Sequence, residues 1–197
     1  MNGTALPHTL MSNIIRILST LFLVAYPVVV YIGFKTMNAT LVAALLGGFF
    51  LLRLGAGKSR PDSFESYGRL LALIGLVLVA IAWLSESPVS MQYYPVAVNI
   101  LLGVVFGQSL VYPPPLAERL ARLKRPDLPE YAVIYTRRVT MMWCAFFFLN
   151  AGIAWLTVLH GSMEIWSLYN GLIGYIMVGA LMVGERIFRT YVRGQWR

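Results

Sequence analysis

The sequence is poor in the residues that soluble enzymes use for chemistry. Only 12% of its 197 residues are charged and 58% are hydrophobic, whereas roughly a quarter of a typical soluble domain is charged. Its one cysteine, Cys144, excludes an internal disulfide and any cysteine-based zinc site. The sequence contains no glycine-rich phosphate loop and no serine elbow. We therefore expect a protein that is not an enzyme, without catalytic residues, cofactor or metal.

Six apolar runs divide the chain. A hydrocarbon core of about 30 Å is crossed by about 20 helical residues. The runs predict an all-α, polytopic membrane helix bundle, built as one membrane domain over residues 1–197. The predicted spans are residues 14–34, 40–54, 70–84, 93–112, 139–159 and 166–188. A signal peptide is the competing interpretation of the first run, but that run is long for one and no A-x-A site follows it.

The basic residues predict how the bundle is oriented. The longest polar interval, residues 113–138, holds six of the 16 Lys and Arg residues. If both termini and this loop share one side, fifteen of the 16 lie there and only Lys35 lies opposite. Because cytoplasmic loops are rich in Lys and Arg, we predict six transmembrane helices with both termini and the basic loop in the cytoplasm. The positive charge is then expected to meet anionic lipid headgroups, not nucleic acid.

Within the basic loop, apolar and charged residues alternate at helical spacing. Leu116, Leu120 and Leu123 share one predicted face, which suits a short helix lying in the headgroup plane. An ordinary solvated connector is the alternative. Asp127 is expected to cap the next helix, and that helix is expected to run on through Tyr135 into the fifth span.

The polar residues inside the predicted spans are uncharged. No Asp, Glu, Lys, Arg or His lies near the middle of a span, whereas ion-coupled pumps usually place one there. Amides and small residues at such depths mediate contacts between helices, and the pattern includes a G-x-x-x-G spacing in the fourth span. The residues expected to pack helix on helix are Asn99, Gly103, Gly107, Gln108, Asn150, Asn170 and Gly174, with Ala180 and Gly184 continuing the last face.

Four residues at the cytoplasmic edge form a candidate binding site. Arg137 and Arg138 follow Tyr135 by less than one helical turn, and Glu185 lies at the cytoplasmic end of the sixth span. A guanidinium group pairs with a phosphate or carboxylate through two parallel hydrogen bonds. We therefore predict that these four residues contact a lipid headgroup or a partner protein. Plain anchoring by positive charge is the alternative.

Two segments carry a resemblance to known membrane proteins. They read PPPLAERLARLKRPDLPEYAVIYTRRVTMMWCAFFFLNAGIAW and WSLYNGLIGYIMVGALMVGER, and AYPVVVYIGF in the first span adds to them. They resemble a family of bacterial inner-membrane proteins encoded in aryl polyene pigment gene clusters and, more distantly, the intracellular septation protein A (YciB-like) family. Shared features are a YPV-type run, a basic loop with Leu-Pro before the fifth span, an FF-x-LN-type segment and a glycine-rich last span.

The resemblance implies a multi-pass protein of the bacterial inner membrane that supports the cell envelope. The role that it implies is a non-enzymatic scaffold or partner for synthesis of envelope lipid or aryl polyene. The alternative is a small carrier or flippase for a lipid or lipid precursor. The expected partners are anionic membrane lipids and other membrane proteins of envelope biogenesis. Neither family supplies a catalytic residue that can be assigned to this chain.

Overall fold

The fold is known from a computed structural model, which describes residues 30–33, 35, 39–55, 63–85, 87, 89–123 and 125–195. Every regular element in this part of the chain is helical, which confirms the all-α prediction for the residues described. Most of the first predicted span, residues 14–34, lies outside them. The elements are α1 (Ala39–Gly55), α2 (Ser63–Leu84), α3 (Val89–Gln92), α4 (Tyr94–Val111), α5 (Leu116–Arg122), α6 (Glu130–His160), α7 (Met163–Leu168), a π-helical turn (Tyr169–Ile173) and α8 (Gly174–Gln195).

Three helical segments are long and apolar enough to cross a membrane. They are Val89–Val111, Glu130–His160 and Met163–Tyr191. Two further apolar helices, Leu41–Leu52 and Arg69–Leu84, are shorter. These dimensions are consistent with a membrane protein, and the six-span arrangement stays a prediction.

Helix α6 begins well before the start predicted for the fifth span. It starts at Glu130 instead of residue 139, so the last third of the predicted basic loop is helical. The expected continuation through Tyr135 is confirmed, but the expected cap is wrong. Pro129 occupies the N-cap position and no side chain caps the helix. Asp127 lies two residues too early for its carboxylate to take the N-cap role.

The helices pack as two antiparallel pairs, α1 with α2 and α4 with α6, and α2 joins the pairs through its contact with α4. The larger core cluster contains Leu46, Phe50 and Trp166, and Val30 from the short described stretch before α1 also belongs to it. A smaller cluster joins Val96 of α4 to the region where α6 meets the π-turn. Trp166 of α7 and Met91 of α3 thus belong to the same core cluster as the α1–α2 pair.

Glycines bring the paired helices close together. A Cβ atom on Gly75 of α2 would overlap the ring of Phe50 on α1. In the other pair, a Cβ on Gly103 would lie 3.0 Å from the ring of Phe148, and one on Gly107 would lie 3.4 Å from the Cys144 sulfur. Gly103 and Gly107 thus lie on the face of α4 that meets α6, whereas no pattern in the sequence singled out Gly75.

Helix α5 is held against the bundle by its first turn. The Ser109 hydroxyl accepts a hydrogen bond from the Leu116 N–H at 3.0 Å, and the Thr140 hydroxyl accepts one from the Ala117 N–H at 3.2 Å. The leucines of this helix do not share one buried face, because Leu116 is buried whereas Leu120 and Leu123 are exposed. The first turn of α5 is fixed by hydrogen bonds from its backbone N–H groups to side chains of α4 and α6. The leucine pattern does not contain these contacts and therefore did not predict the orientation of the helix.

An acidic residue is also buried in α5. Glu118 is only 5% exposed, although the sequence pattern placed it on the charged outer face. Its carboxylate accepts hydrogen bonds from the Arg122 guanidinium, with the shortest N···O distance at 2.7 Å. This pairing within one helical turn lets the carboxylate be buried without an uncompensated charge.

Candidate lipid-headgroup site

A long groove separates α6 from α8. The two helices run antiparallel, and α8 leaves the bundle after the π-turn, so no described helix covers one side of the space between them. The groove has a volume of about 860 Å³. Its walls are mainly apolar side chains, among them Val139, Met142 and Phe146 from α6 and Met177, Leu181 and Phe188 from α8.

Small residues of α8 give the groove its width. Ala180 and Gly184 both line it, and a Cβ atom on Gly184 would meet nothing within 4 Å. The prediction that these two residues pack against another helix is therefore wrong for the described part of the chain. They leave an open channel because α8 diverges from α6 where they occur.

One end of the groove, near the carboxyl-terminal part of α8, is lined by polar side chains and is called the polar mouth below. The Tyr135 hydroxyl lies 3.0 Å from a carboxylate oxygen of Glu185 and 3.3 Å from its backbone carbonyl oxygen. The Arg189 Nε lies 3.5 Å from the same carboxylate oxygen. The Tyr135 ring also stacks on Phe188, with the ring planes at 18°. These contacts join the two helices and give the Glu185 carboxylate a counterion.

Arg138 lines the same mouth from the α6 side. Its side chain is exposed, and it forms no ion pair with any acidic residue in the described ranges. The charge of Arg138 is therefore available to an anion that enters the groove. Three of the four residues predicted as a headgroup site, Tyr135, Arg138 and Glu185, thus lie together.

The fourth residue, Arg137, lies elsewhere. Its guanidinium reaches the Leu110 carbonyl at 3.4 Å, and Arg119 donates to the carbonyls of Tyr112 and Pro114 just beyond the same helix. Cations at the carboxyl end of a helix satisfy free carbonyls and interact favourably with the helix dipole. Since successive residues of an α-helix point about 100° apart, Arg137 and Arg138 face different neighbours. Arg137 therefore contacts the carboxyl end of α4, and it does not join Arg138 in holding one headgroup as predicted.

A network of uncharged polar side chains lies farther along α6. The Asn150 amide donates to the Asn99 side-chain oxygen at 2.9 Å, and the Tyr169 hydroxyl donates to the Asn150 oxygen at 2.6 Å. Asn170 donates to the Thr157 hydroxyl at 3.2 Å. The network connects α4, α6 and the π-turn, so Asn99, Asn150 and Asn170 are positioned to hold helices together.

Gly174 makes room for this network. A Cβ atom there would lie 3.3 Å from the Tyr169 carbonyl oxygen and 3.9 Å from the Asn150 amide atoms. Gln108 does not take part, because its side chain is exposed, and its predicted packing role is wrong. The adjacent Ser109 is buried instead and joins α4 to α5. A shift of one residue turns a helical side chain by about 100°.

The network reaches the inner end of the groove. The Tyr169 hydroxyl lies 3.9 Å from the sulfur of Met177, and Met177 lines the groove. Sequence reasoning missed Tyr169 and Thr157 as members of the network. The juxtaposition of Tyr169 and Asn170 in sequence was the available signal, because a buried tyrosine hydroxyl needs a hydrogen-bond partner.

The polar mouth brings one arginine and one acidic residue together at the end of an apolar groove. In the described ranges, no group of three His, Cys, Asp or Glu residues lies close enough to hold a metal ion. Among the described residues, the polar mouth offers one cation without an acidic partner and one carboxylate with a counterion, which are suited to holding an anionic group in place.

Comparison of the chain with protein-family models, with curated proteins and with solved structures finds no match. The resemblance drawn from the sequence motifs therefore stays a prediction.

Proposed function

We propose that this protein is a multi-pass component of the bacterial inner membrane that binds a lipid in the α6–α8 groove and so supports envelope biogenesis without catalysing a reaction. One observation carries the proposal: an apolar groove between two helices ends at an exposed arginine that lacks an acidic partner among the described residues. An acyl chain suits the walls, and an anionic headgroup suits the mouth.

The length of the groove supports a lipid as the occupant. The α6 residues that line the groove run from Tyr131 to Phe146, and the part beyond Arg138 rises through eight residues, which is about 12 Å at roughly 1.5 Å per residue. This length is similar to half the thickness of a bilayer's hydrocarbon core, which is about 30 Å in all. A lipid of the cytoplasmic leaflet would therefore place its headgroup at Arg138 and one acyl chain along the groove.

The open side of the groove supports a protein that holds lipid within the bilayer. Lipid can enter laterally between α6 and α8 without crossing the bundle. Lateral entry of lipid suits a scaffold that presents lipid to a neighbouring enzyme. It suits a carrier equally well. The lack of charged residues near the middle of the predicted spans favours a passive lipid-binding protein over an ion-coupled carrier.

Filling the groove is expected to prevent lipid from occupying it. A Cβ atom at Gly184 would meet nothing within 4 Å, so Gly184→Trp should direct an indole into the channel and reduce crosslinking by a phospholipid with a photoreactive acyl chain several-fold. Gly179→Trp is the matched control, because Gly179 is also in α8 with open space around it but does not line the groove. Crosslinking to purified protein, mapped by mass spectrometry, measures the difference. Equal crosslinking in the two variants would refute lipid binding in this groove.

The proposed topology has its own test. Lys35, the one basic residue predicted on the outer side, lies 3.7 Å from Glu164 in the first turn of α7, which supports placing both on that side. Alkaline phosphatase, which is active only outside the cytoplasm, should be active when fused after Glu86 or Glu164. It should be inactive when fused after Lys124. Activity after Lys124 would contradict cytoplasmic placement of the basic loop.

A further inference from the structure

We infer that the groove selects a phosphodiester lipid whose headgroup carries one net negative charge and hydroxyl groups, with its phosphate on Arg138 and its hydroxyls on Glu185. The inference rests on the proposed lipid-binding function and adds the chemical class of the ligand. It is drawn from the charges that face the mouth from each of the two helices.

The charges at the mouth add up to one positive charge. Arg138 and Glu185 are the charged residues among those that line the groove. Arg189 lies 3.5 Å from the Glu185 carboxylate, so those two residues neutralise each other and the charge of Arg138 remains. A phosphodiester carries one negative charge and balances it. A phosphomonoester carries about 1.5 to 2 negative charges at neutral pH, which leaves an excess beside Glu185.

The geometry of the mouth favours a headgroup with two kinds of polar group. Arg138 faces the groove from α6 and Glu185 faces it from α8, so a headgroup between the helices can contact both. The guanidinium suits two phosphate oxygens through parallel hydrogen bonds. The carboxylate has about four lone-pair sites, of which Tyr135 and Arg189 approach one oxygen only. The other oxygen can accept a hydrogen bond from a headgroup hydroxyl.

A zwitterionic headgroup suits the mouth less well. Its phosphate would pair with Arg138, but its ammonium group would approach a carboxylate that Arg189 already neutralises. Placing a second cation beside Arg189 adds like-charge repulsion in a site partly removed from water. A hydroxyl donor contacts Glu185 without this repulsion, so phosphatidylglycerol is the preferred probe.

The test compares four lipids with identical dioleoyl chains on the full-length protein. Native mass spectrometry of protein in detergent measures the binding of phosphatidylglycerol, phosphatidylethanolamine, phosphatidic acid and dioleoylglycerol. We expect phosphatidylglycerol to bind about tenfold more tightly than the other three, since a charge-assisted hydrogen bond commonly contributes that much. Arg138→Gln should reduce phosphatidylglycerol binding to the level of dioleoylglycerol.

Two further variants identify the residue responsible. Arg138→Lys keeps the charge but loses the planar fork, so its preference should lie between those of the wild-type protein and Arg138→Gln. Arg137→Gln is the matched control, because Arg137 faces α4, and it should keep the full preference. Equal losses in Arg137→Gln and Arg138→Gln would overturn the assignment to Arg138.

The outcomes separate this inference from the proposed function. If all four lipids bind equally and Gly184→Trp abolishes their binding, the groove binds lipid but the headgroup inference is wrong. Preference for phosphatidylethanolamine or phosphatidic acid would also overturn it. If Gly184→Trp leaves the binding of all four unchanged, the proposed function fails as well. Millimolar inorganic phosphate should not displace phosphatidylglycerol, and displacement would indicate a free-anion site instead of a lipid site.

Discussion

Alanine at Gly75 is expected to lower the melting temperature of the detergent-solubilised protein more than alanine at any other glycine discussed above. Its Cβ would overlap the ring of Phe50, and that ring has no room to move because it is only 1% exposed and packs against Tyr94. Forcing extra atoms into such a site typically costs about 1–3 kcal/mol. A thermal unfolding curve followed by circular dichroism or by the intrinsic fluorescence of the protein measures the loss.

The other glycines should give a graded series. Gly103→Ala brings its Cβ to 3.0 Å from Phe148, but this ring is 47% exposed and can yield, so the loss should be smaller. Gly107→Ala makes an ordinary contact and should cost little. Gly152→Ala is the control in open space and should be neutral or stabilising, because alanine is the better helix former by about 1 kcal/mol. Equal melting temperatures for the Gly75 and Gly152 variants would contradict close packing between α1 and α2.

Replacing Asn150 with leucine is expected to give the second large loss of stability. The change removes one hydrogen bond to Asn99 and one to Tyr169 and leaves both partners buried or half-buried without it. Hydrogen bonds between membrane helices average about 0.6 kcal/mol and reach about 1.7 kcal/mol. The two together should therefore cost about 1–3 kcal/mol.

A double-mutant cycle shows whether these residues act as one network. Tyr169→Phe should destabilise the wild-type protein but add little in the Asn150→Leu background, because its partner is already gone. Gln108→Leu is the matched control, since this amide on α4 is exposed and makes no contact in the network. A loss for Gln108→Leu as large as that for Asn150→Leu would mean that burial in the α4–α6 pair is assigned incorrectly.

The sequence predicted the kind of structure better than the direction of individual side chains. In the described part of the chain, apolar runs predicted helices in the right places, because the period and length of such runs depend on the chain alone. Neighbouring residues were harder to tell apart: Gln108 was chosen although Ser109 is buried, and Arg137 was grouped with Arg138 although they face different helices. Successive side chains of a helix point about 100° apart. Which of two neighbours faces another helix therefore depends on tertiary contacts that the sequence pattern does not contain.

The groove itself was also beyond sequence reasoning. Ala180 and Gly184 fit the pattern of helix packing in membranes, and only the path of α8 shows that they line open space. By contrast, the choice of Tyr135 and Glu185 was possible from sequence, because polar residues at the ends of apolar runs are expected to lie at one membrane surface. Their mutual hydrogen bond depends on the antiparallel pairing of α6 and α8.

The π-turn at Tyr169–Ile173 sets the rotational phase of everything that follows it. A π-turn is wound more loosely than the helices on either side, through i→i+5 hydrogen bonds. If the same five residues were wound as ordinary α-helix, α8 would turn by about 100° about its own axis and shift by about 1.5 Å. Glu185 would then rotate away from Tyr135, and Gly184 would leave the channel, while the contacts of α4 with α6 would not change. Five residues thus determine which side of a 22-residue helix faces the groove.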